Sequence, residues 1–389
     1  MSRRGDLPSH PRRTLVPGWG VRASMRWLLV FVPAAVVLDW LKADAVLVFA
    51  TALAAIPPLV ELMGGATERL SARLGPTAGG LLNSSLNNLP EFIIGVVALA
   101  NGLAPVVKAS LTGSILVNLL VGLGISLVIG GLRYGPQKFD RRSLRISGSM
   151  LLLCAFCFVV PAVFRIGTPG GARDLSTEIS GVLLVVYLVN VLVTLFAGPE
   201  SQISTERVEE AHAPPGRIPR NFAVLVGSAV VLAVISDILS KSLEPTAEQL
   251  GLSQTFSGIV LLGGVGGIGE VLTAIRFARA GRSELVLSVT VGSTIQMVLL
   301  VAPLLVFSGL VLGEPMNLSF ITFEIVAIVI AALIARELIE DGRANWFEGV
   351  LLLATYVILV FGFYHLPDRV VNQEREAIEQ GEPSPAVVH

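Results

Sequence analysis

Long apolar runs constrain this chain more than any other feature of its sequence. A bilayer core about 30 Å thick is crossed by roughly 20 residues of helix, and a backbone in lipid must satisfy its own hydrogen bonds. Eleven runs of suitable length lie near residues 27–41, 43–63, 76–101, 105–131, 146–166, 177–197, 220–240, 254–276, 284–312, 319–338 and 346–366. They predict an all-α polytopic membrane protein with about eleven transmembrane helices. The composition agrees, with 53% hydrophobic and 15% charged residues.

The distribution of positive charge orients these helices. If residues 1–26 form a cytoplasmic tail and every run crosses, 21 of the 28 lysines and arginines lie on the cytoplasmic side and 7 lie outside. Cytoplasmic loops carry such an excess, so the N-terminus is predicted inside and the C-terminus outside. Because the basic residues cluster between apolar runs, the expected partner is the lipid bilayer and not nucleic acid. Without a eukaryotic targeting segment, we expect a prokaryotic inner membrane.

The chain also contains an internal repeat. An offset of 179 residues superposes Glu91 on Glu270, Gly102 on Gly281, Gly113 on Gly292, and Leu120 on Leu299. Five predicted crossings separate the copies, so the second copy runs through the bilayer in the opposite sense, as in many secondary transporters. The predicted units are a leading helix at 27–41, a first five-helix repeat at 43–197, a cytoplasmic linker at 198–219, a second five-helix repeat at 220–366 and a C-terminal tail at 367–389.

Each copy places one glutamate near the middle of a span. A carboxylate at this depth is costly and usually faces a cavity or a partner, and antiparallel helices crossing at the centre would bring Glu91 and Glu270 together. Two carboxylates at close range repel, so either a proton or a cation must neutralise them. This competition between protons and a cation is the chemistry of an exchanger. We therefore predict Glu91 and Glu270 as the cation and proton ligands, with no cofactor.

The residues around the glutamates add oxygen atoms. Pro90 has no amide hydrogen, so the carbonyl of Leu86 loses its helical partner and can face a cation. Asn87 and Asn88 add amide oxygens in the same stretch. Two carboxylates, amides and carbonyls form a set that suits a hard cation such as Ca²⁺.

The second copy has glycines where the first has polar residues. Gly266 and Gly267 belong to a cluster of five glycines in the two turns before Glu270. Such a cluster can break the helix and expose carbonyls, or it can allow close helix packing. The pattern favours neither role over the other, and both can hold together.

These segments resemble a known family, the calcium/proton type of cation/proton exchanger in the calcium/cation antiporter superfamily. The stretches "KASLTGSILVNLLVGLG", "SLEPTAEQLGLSQTFSG", "VGSTIQM" and "EDGRANWFEGVLLLATYVILVF" look like segments of that family. "NNLPE" and "GGIGE" correspond by position to its Gly-Asn-Ala-(Thr or Ala)-Glu motifs. The resemblance implies a leading helix, two inverted five-helix halves and alternating access driven by a proton or sodium gradient.

The resemblance also implies roles for individual residues. Glu91 and Glu270 would carry the cation and the protons, and Asn88 would be a motif amide. Ser114, Ser293 and Gln296 would face the site from the following helices. Both motifs depart from the family pattern. In the second, Gly267 replaces an asparagine and Val271 replaces a histidine, and the first reads Asn87, Asn88, Leu89 and Pro90 in place of Gly-Asn-Ala-Thr. These departures concern the choice of cation more than the exchange mechanism.

Other functions remain open at this point. A sodium/proton or sodium/calcium exchanger fits the loss of a motif ligand, because a monovalent ion needs fewer charges. A cation channel is less favoured, because two inward-facing acids in one chain suit occlusion better than conduction. An enzyme is not expected, since the chain has neither an HExxH-type pair nor two intramembrane aspartates. The partners expected are small inorganic cations, and the sequence assigns no oligomeric state.

Overall fold

The protein is almost entirely helical in a computed structural model that describes residues 26–74, 76–164, 171–196 and 218–380. The helices are α1 Phe31–Trp40, α2 Ala45–Ser71, α3 Pro76–Asn87, α4 Leu89–Ala100, α5 Ala104–Tyr134, α6 Arg141–Phe164, α7 Gly171–Phe196, α8 Ile218–Leu250, α9 Gln254–Gly266, α10 Ile268–Arg279, α11 Ser283–Leu312, α12 Thr322–Glu340, α13 Trp346–Tyr364 and α14 Asp368–Gln380. Two short strands, β1 Gln137–Lys138 and β2 Arg343–Ala344, pair antiparallel. The predicted all-α class is confirmed.

Within the described residues, seven helices are long and apolar enough to cross a membrane singly. They are α2, α5, α6, α7, α8, α11 and α13. The bent pair α9–α10 makes an eighth if the two helices form one span. The shorter α1, the α3–α4 pair and the more charged α12 occupy the other predicted runs, so the count of eleven stays a prediction.

The boundaries of several helices follow from local capping. The carboxylate of Asp44 accepts hydrogen bonds from the amides of Val46 and Leu47 and begins α2. Asn345 and Glu348 form a reciprocal capping box at the start of α13. At the C-terminus of α11, Gly313 takes a φ of 77°, a left-handed conformation that glycine adopts without steric penalty.

Contacts between connecting segments define two ends of the bundle. At one, called here the sheet end, β1 pairs with β2 and the Tyr134 hydroxyl donates to the carbonyl of Arg279 at 2.7 Å. At the opposite or far end, the Leu318 amide donates to the hydroxyl of Ser176 at 3.0 Å. The positive-charge bias predicts that the sheet end is cytoplasmic.

Two predicted spans are broken helices. The run at 76–101 consists of α3 and α4 with a break at Asn88, whose φ and ψ are −88° and 9°. The run at 254–276 consists of α9 and α10, which bend by 48° with Gly267 at the break. Asn88 and Gly267 are 179 residues apart, so the breaks occupy equivalent positions of the repeat. Pro90 lies in the first turn of α4, where its missing amide hydrogen does no harm.

Helices α5 and α9 cross in very close contact. A Cβ atom built on Gly263 would lie 2.4 Å from the Cα of Gly113, and one on Gly258 would lie 2.5 Å from the Cβ of Ala109. Only glycine allows two backbones to approach so closely. The sequence left two roles open for the glycine cluster, and the structure shows both of them. Gly263 packs against α5, and Gly267 lies at the break in the helix.

The far end carries a helix that was not among the predicted elements. The predicted tail at 367–389 contains the amphipathic helix α14, with Val371 and Ile378 buried against Ile321. The predicted N-terminal tail and almost all of the predicted linker at 198–219 lie outside the described residues.

Candidate functional site

Two buried carboxylates form the centre of the candidate site. Glu91 lies in the first turn of α4 and Glu270 in the first turn of α10, because each helix begins just after its break. They are 7% and 6% exposed, and their charges interact electrostatically. The positive end of each helix dipole favours a carboxylate at this position. The two helix breaks thus contribute equivalent groups to one site.

An amide pair links the first copy to α11. The Asn88 side chain donates from Nδ2 to Oε1 of Gln296 at 3.0 Å. Ser293 is buried one turn earlier on α11. This bond uses Nδ2 of Asn88. Its Oδ1 atom has no hydrogen-bond partner among the described residues and is therefore a candidate ligand atom.

The missing side chain of Gly266 lets α4 and α5 approach α9. A Cβ atom at this position would lie 2.7 Å from the hydroxyl oxygen of Ser114 and 3.8 Å from Cγ of Glu91. Ser114 donates to the carbonyl of Gly263 at 3.3 Å. The serine and the glutamate therefore face the same stretch of α9, just before the break.

Asn118 is a site residue that the sequence analysis did not select. It is fully buried on α5, and a Cβ atom on Gly267 would lie 3.1 Å from its Oδ1 atom. Its amide thus occupies the space beside the glycine that replaces the motif asparagine. A sequence signal was present, because Asn118 follows Ser114 by four residues within an apolar run and so shares its helix face.

The remaining predicted residues lie close to the breaks. Leu86 and Asn87 form the last turn of α3, where both are partly buried. No side-chain hydrogen bond within the described residues ties them to the two carboxylates. Their role as ligands stays a prediction.

Several oxygen atoms at the site have no hydrogen-bond partner among the described residues. They are both carboxylate oxygens of Glu91, Oε2 of Glu270, and the amide oxygens of Asn88 and Asn118. A buried oxygen without a partner is costly and marks a place for a cation or a proton. The described residues contain no group of three or more His, Cys, Asp or Glu side chains that could hold a metal ion. The site therefore has two carboxylates and neutral oxygens.

A small cavity leads from Glu91 along α4. It is lined by the α4 residues Ile94, Gly95 and Ala98, and by residues of α5, α8, α9 and α11. About 20 Å³ is open to the centre of a water molecule, which is room for roughly one water. The lining includes Ser240 of α8, which lies toward the far end. The cavity thus extends from the glutamate toward the far end.

Polar contacts tie the long helices α2 and α8 to the broken helices. Near the sheet end, Arg276 of α10 forms an ion pair with Glu61 of α2 at 3.2 Å. Near the far end, Asn101 at the end of α4 donates to Asp237 of α8 at 3.0 Å.

Comparisons with known proteins match most of the chain. The profile of the family described as "Sodium/calcium exchanger protein" matches residues 44–196 and 220–365. A Ca(2+)/H(+) antiporter of Aphanothece halophytica is 38% identical over 357 residues, which cover 87% of this chain and 96% of that protein. The Ca(2+)/H(+) antiporter ChaA of Bacillus subtilis (strain 168) is 36% identical and is 97% covered, with 86% of this chain.

Solved structures also superpose on most of the chain. The structure of native YfkE superposes with a TM-score of 0.77 at 34% identity, covering 88% of this chain and all of that one. An H+/Ca2+ exchanger structure, CAX, superposes with a TM-score of 0.70 and covers 92% of this chain and 96% of that one. Its identity is 14%, so this likeness concerns the fold alone.

Proposed function

Because the chain belongs to the sodium/calcium exchanger family, we propose that it exchanges Ca²⁺ for protons across a membrane by alternating access. The observation that carries the proposal is the pair of buried carboxylates, Glu91 and Glu270, each in the first turn after a helix break. Relatives that share more than a third of its sequence are named Ca(2+)/H(+) antiporters. The protein is a transporter and not an enzyme.

Charge balance explains why the two ions compete. Two unprotonated carboxylates at close range repel, so an empty site is unfavourable in an apolar bundle. One Ca²⁺ or two protons leaves the pair equally neutral. The site therefore changes its access from one side of the bilayer to the other only when it holds one Ca²⁺ or two protons. This requirement couples the two ion gradients.

The other oxygen atoms complete the calcium shell. Ca²⁺ takes six to eight oxygens in flexible geometry. In the proposed bound state, Glu91 and Glu270 supply the charge while Asn88 and Asn118 supply amide oxygens. Ser114, Ser293, Gln296 and the stretch formed by Leu86 and Asn87 surround these ligands. Gly266 and Gly267 leave room for the ion beside α9.

Access to the site would alternate between the two ends. The helix breaks at Asn88 and Gly267 lie directly beside the carboxylates, so bending there changes the path to the site. In the present conformation, the cavity extends toward the far end. By the charge bias, we place the far end outside a prokaryotic inner membrane, and the N-terminus inside.

Ion flux in proteoliposomes tests the proposal. The full chain is reconstituted with an imposed pH gradient, and Ca²⁺, Na⁺ or K⁺ is added on one side. Calcium alone is expected to dissipate the gradient, with Ca²⁺ moving against protons. Dissipation by Na⁺ with no response to Ca²⁺ would reject the calcium proposal in favour of sodium/proton exchange. Single-channel currents in the same membranes would reject exchange altogether.

Asn118→Ala should weaken calcium binding without removing proton coupling. The substitution deletes one neutral ligand and keeps both carboxylates, so we expect the half-saturating Ca²⁺ concentration to rise roughly tenfold, the effect of ~1.4 kcal/mol. Calcium-dependent flux at each concentration measures this shift. Ser126→Ala is the matched control, since Ser126 is also buried on α5 but lies two turns further along. Equal calcium dependence of the two variants would remove Asn118 from the site.

A further inference from the structure

A second set of charged side chains, two of them buried and two half-buried, lies at the far end, apart from the candidate site. It comprises Lys108 on α5, Glu324 on α12, and Glu374 and Arg375 on α14. Glu324 and Glu374 are 2% and 0% exposed. Glu324 interacts electrostatically with the other three groups. Two positive and two negative charges balance, so this cluster needs no cation and instead joins the helices that carry it.

One side of the cluster anchors α14 to α12. Oε1 of Glu374 accepts hydrogen bonds from the backbone amide of Thr322 at 2.8 Å and from its hydroxyl at 2.5 Å. Oε2 of Glu324 accepts from the amide of Ile321 at 3.3 Å. The first amides of a helix lack helical partners, and its N-terminus favours negative charge. Together with the buried Val371 and Ile378, the two bonds between Glu374 and Thr322 dock α14 against the start of α12.

The other side of the cluster reaches the helices of the candidate site. Arg375 donates from Nη2 to the hydroxyl of Thr255 at 3.0 Å, and Thr255 lies in the first turn of α9. Lys108 of α5 donates to Oδ1 of Asn317 and to the carbonyl of Ser319 at 2.9 Å, in the segment before α12. The far ends of α5 and α9 are therefore both tied to the α12–α14 region.

The bond to Thr255 is sensitive to the angle of α9. Thr255 lies 12 residues before the break at Gly267, which corresponds to about 18 Å of helix. A rotation of about 10° around the break moves the far end of such a helix by roughly 3 Å, enough to break a hydrogen bond. The Arg375–Thr255 bond thus favours the present angle of the broken helix.

From these contacts we propose that α14 is a strap that holds α9 at its present angle and thereby sets the rate of the conformational change. The strap makes no contact with the ligand atoms, so the intrinsic affinity of the site for the ion is unaffected. This inference rests on the proposed exchange function for its rate effect. It assigns a regulatory role to the chain after α13, in the part of the molecule that faces away from the sheet end.

The experiment compares Arg375→Gln, Thr255→Val and the double variant with the unchanged full chain in proteoliposomes. Arg369→Gln is the control, because it makes the same chemical change at an exposed position of α14. We expect each single variant to raise the maximal calcium/proton exchange rate roughly threefold or more, with the half-saturating Ca²⁺ concentration changing by a smaller factor. The double variant should match Arg375→Gln alone, since Thr255→Val removes only a bond that Arg375→Gln also removes.

Amide hydrogen exchange provides a second readout that does not depend on transport. Residues 254–258 should exchange faster in Arg375→Gln and in Thr255→Val, and at the original rate in Arg369→Gln. Thr255→Val keeps the shape of the side chain, so it tests the bond even if Arg375→Gln folds poorly. If Thr255→Val changed neither the transport rate nor the amide exchange of residues 254–258, the proposed role of α14 would be rejected. If the unchanged protein moves no calcium, the exchange proposal fails, and the amide data still test the link.

Discussion

Exchange is expected to vanish when either Glu91 or Glu270 is replaced by glutamine, while the protein stays folded. The amide keeps the shape of the side chain but cannot lose a proton, and it halves the charge available to Ca²⁺. Each single variant should therefore lose proton-coupled calcium flux by at least about a hundredfold, which corresponds to ~2.7 kcal/mol. Proteoliposome flux measures the loss, and thermal unfolding in detergent reports the fold.

Glu324→Gln serves as the control for this experiment. Glu324 is equally buried, at 2% exposure, but it lies in the far-end cluster and not at the two helix breaks. We expect this variant to keep calcium-coupled proton movement, whatever its rate. If both Glu91→Gln and Glu270→Gln retained full transport, the two-carboxylate mechanism would be rejected.

Gly263→Ala should be among the most damaging single changes outside the carboxylates. A Cβ atom at this position meets the backbone of Gly113 at 2.4 Å and the amide nitrogen of Ser114 at 2.8 Å. Since backbone atoms cannot rotate away, α5 and α9 must separate, at a cost of about 3 kcal/mol or more. We expect the melting temperature in detergent to fall by about 5 °C or more, together with loss of transport.

The adjacent glycine offers a closely matched control. A Cβ atom on Gly264 meets no atom within 4 Å among the described residues. Alanine is the better helix former by about 1 kcal/mol, so Gly264→Ala should be neutral or slightly stabilising. Equal melting temperatures for the two alanine variants would contradict the close α5–α9 crossing.

The residues of the chain were sufficient to predict the class of fold and the centre of the site. Apolar runs of bilayer length predict helices, and the 179-residue offset pairs Glu91 with Glu270. Pro90 and the glycines before Glu270 marked the places where the helices break. The family predicted from the motifs is confirmed by the profile match and by the relatives.

Other features depend on contacts between segments distant in the chain, which a local pattern does not encode. Asn118 becomes a candidate ligand only because α5 and α9 bring its amide beside Gly267, 149 positions further along. The pairing of Glu61 with Arg276, and the reach of Arg375 to Thr255, likewise need the packed helices. Hydropathy and motif matches can be read from the sequence without any contact between segments, so they predicted the helical class and the two glutamates. The partners of each polar side chain were decided by tertiary packing, because in an apolar bundle a polar group bonds to whichever polar group the fold brings within reach.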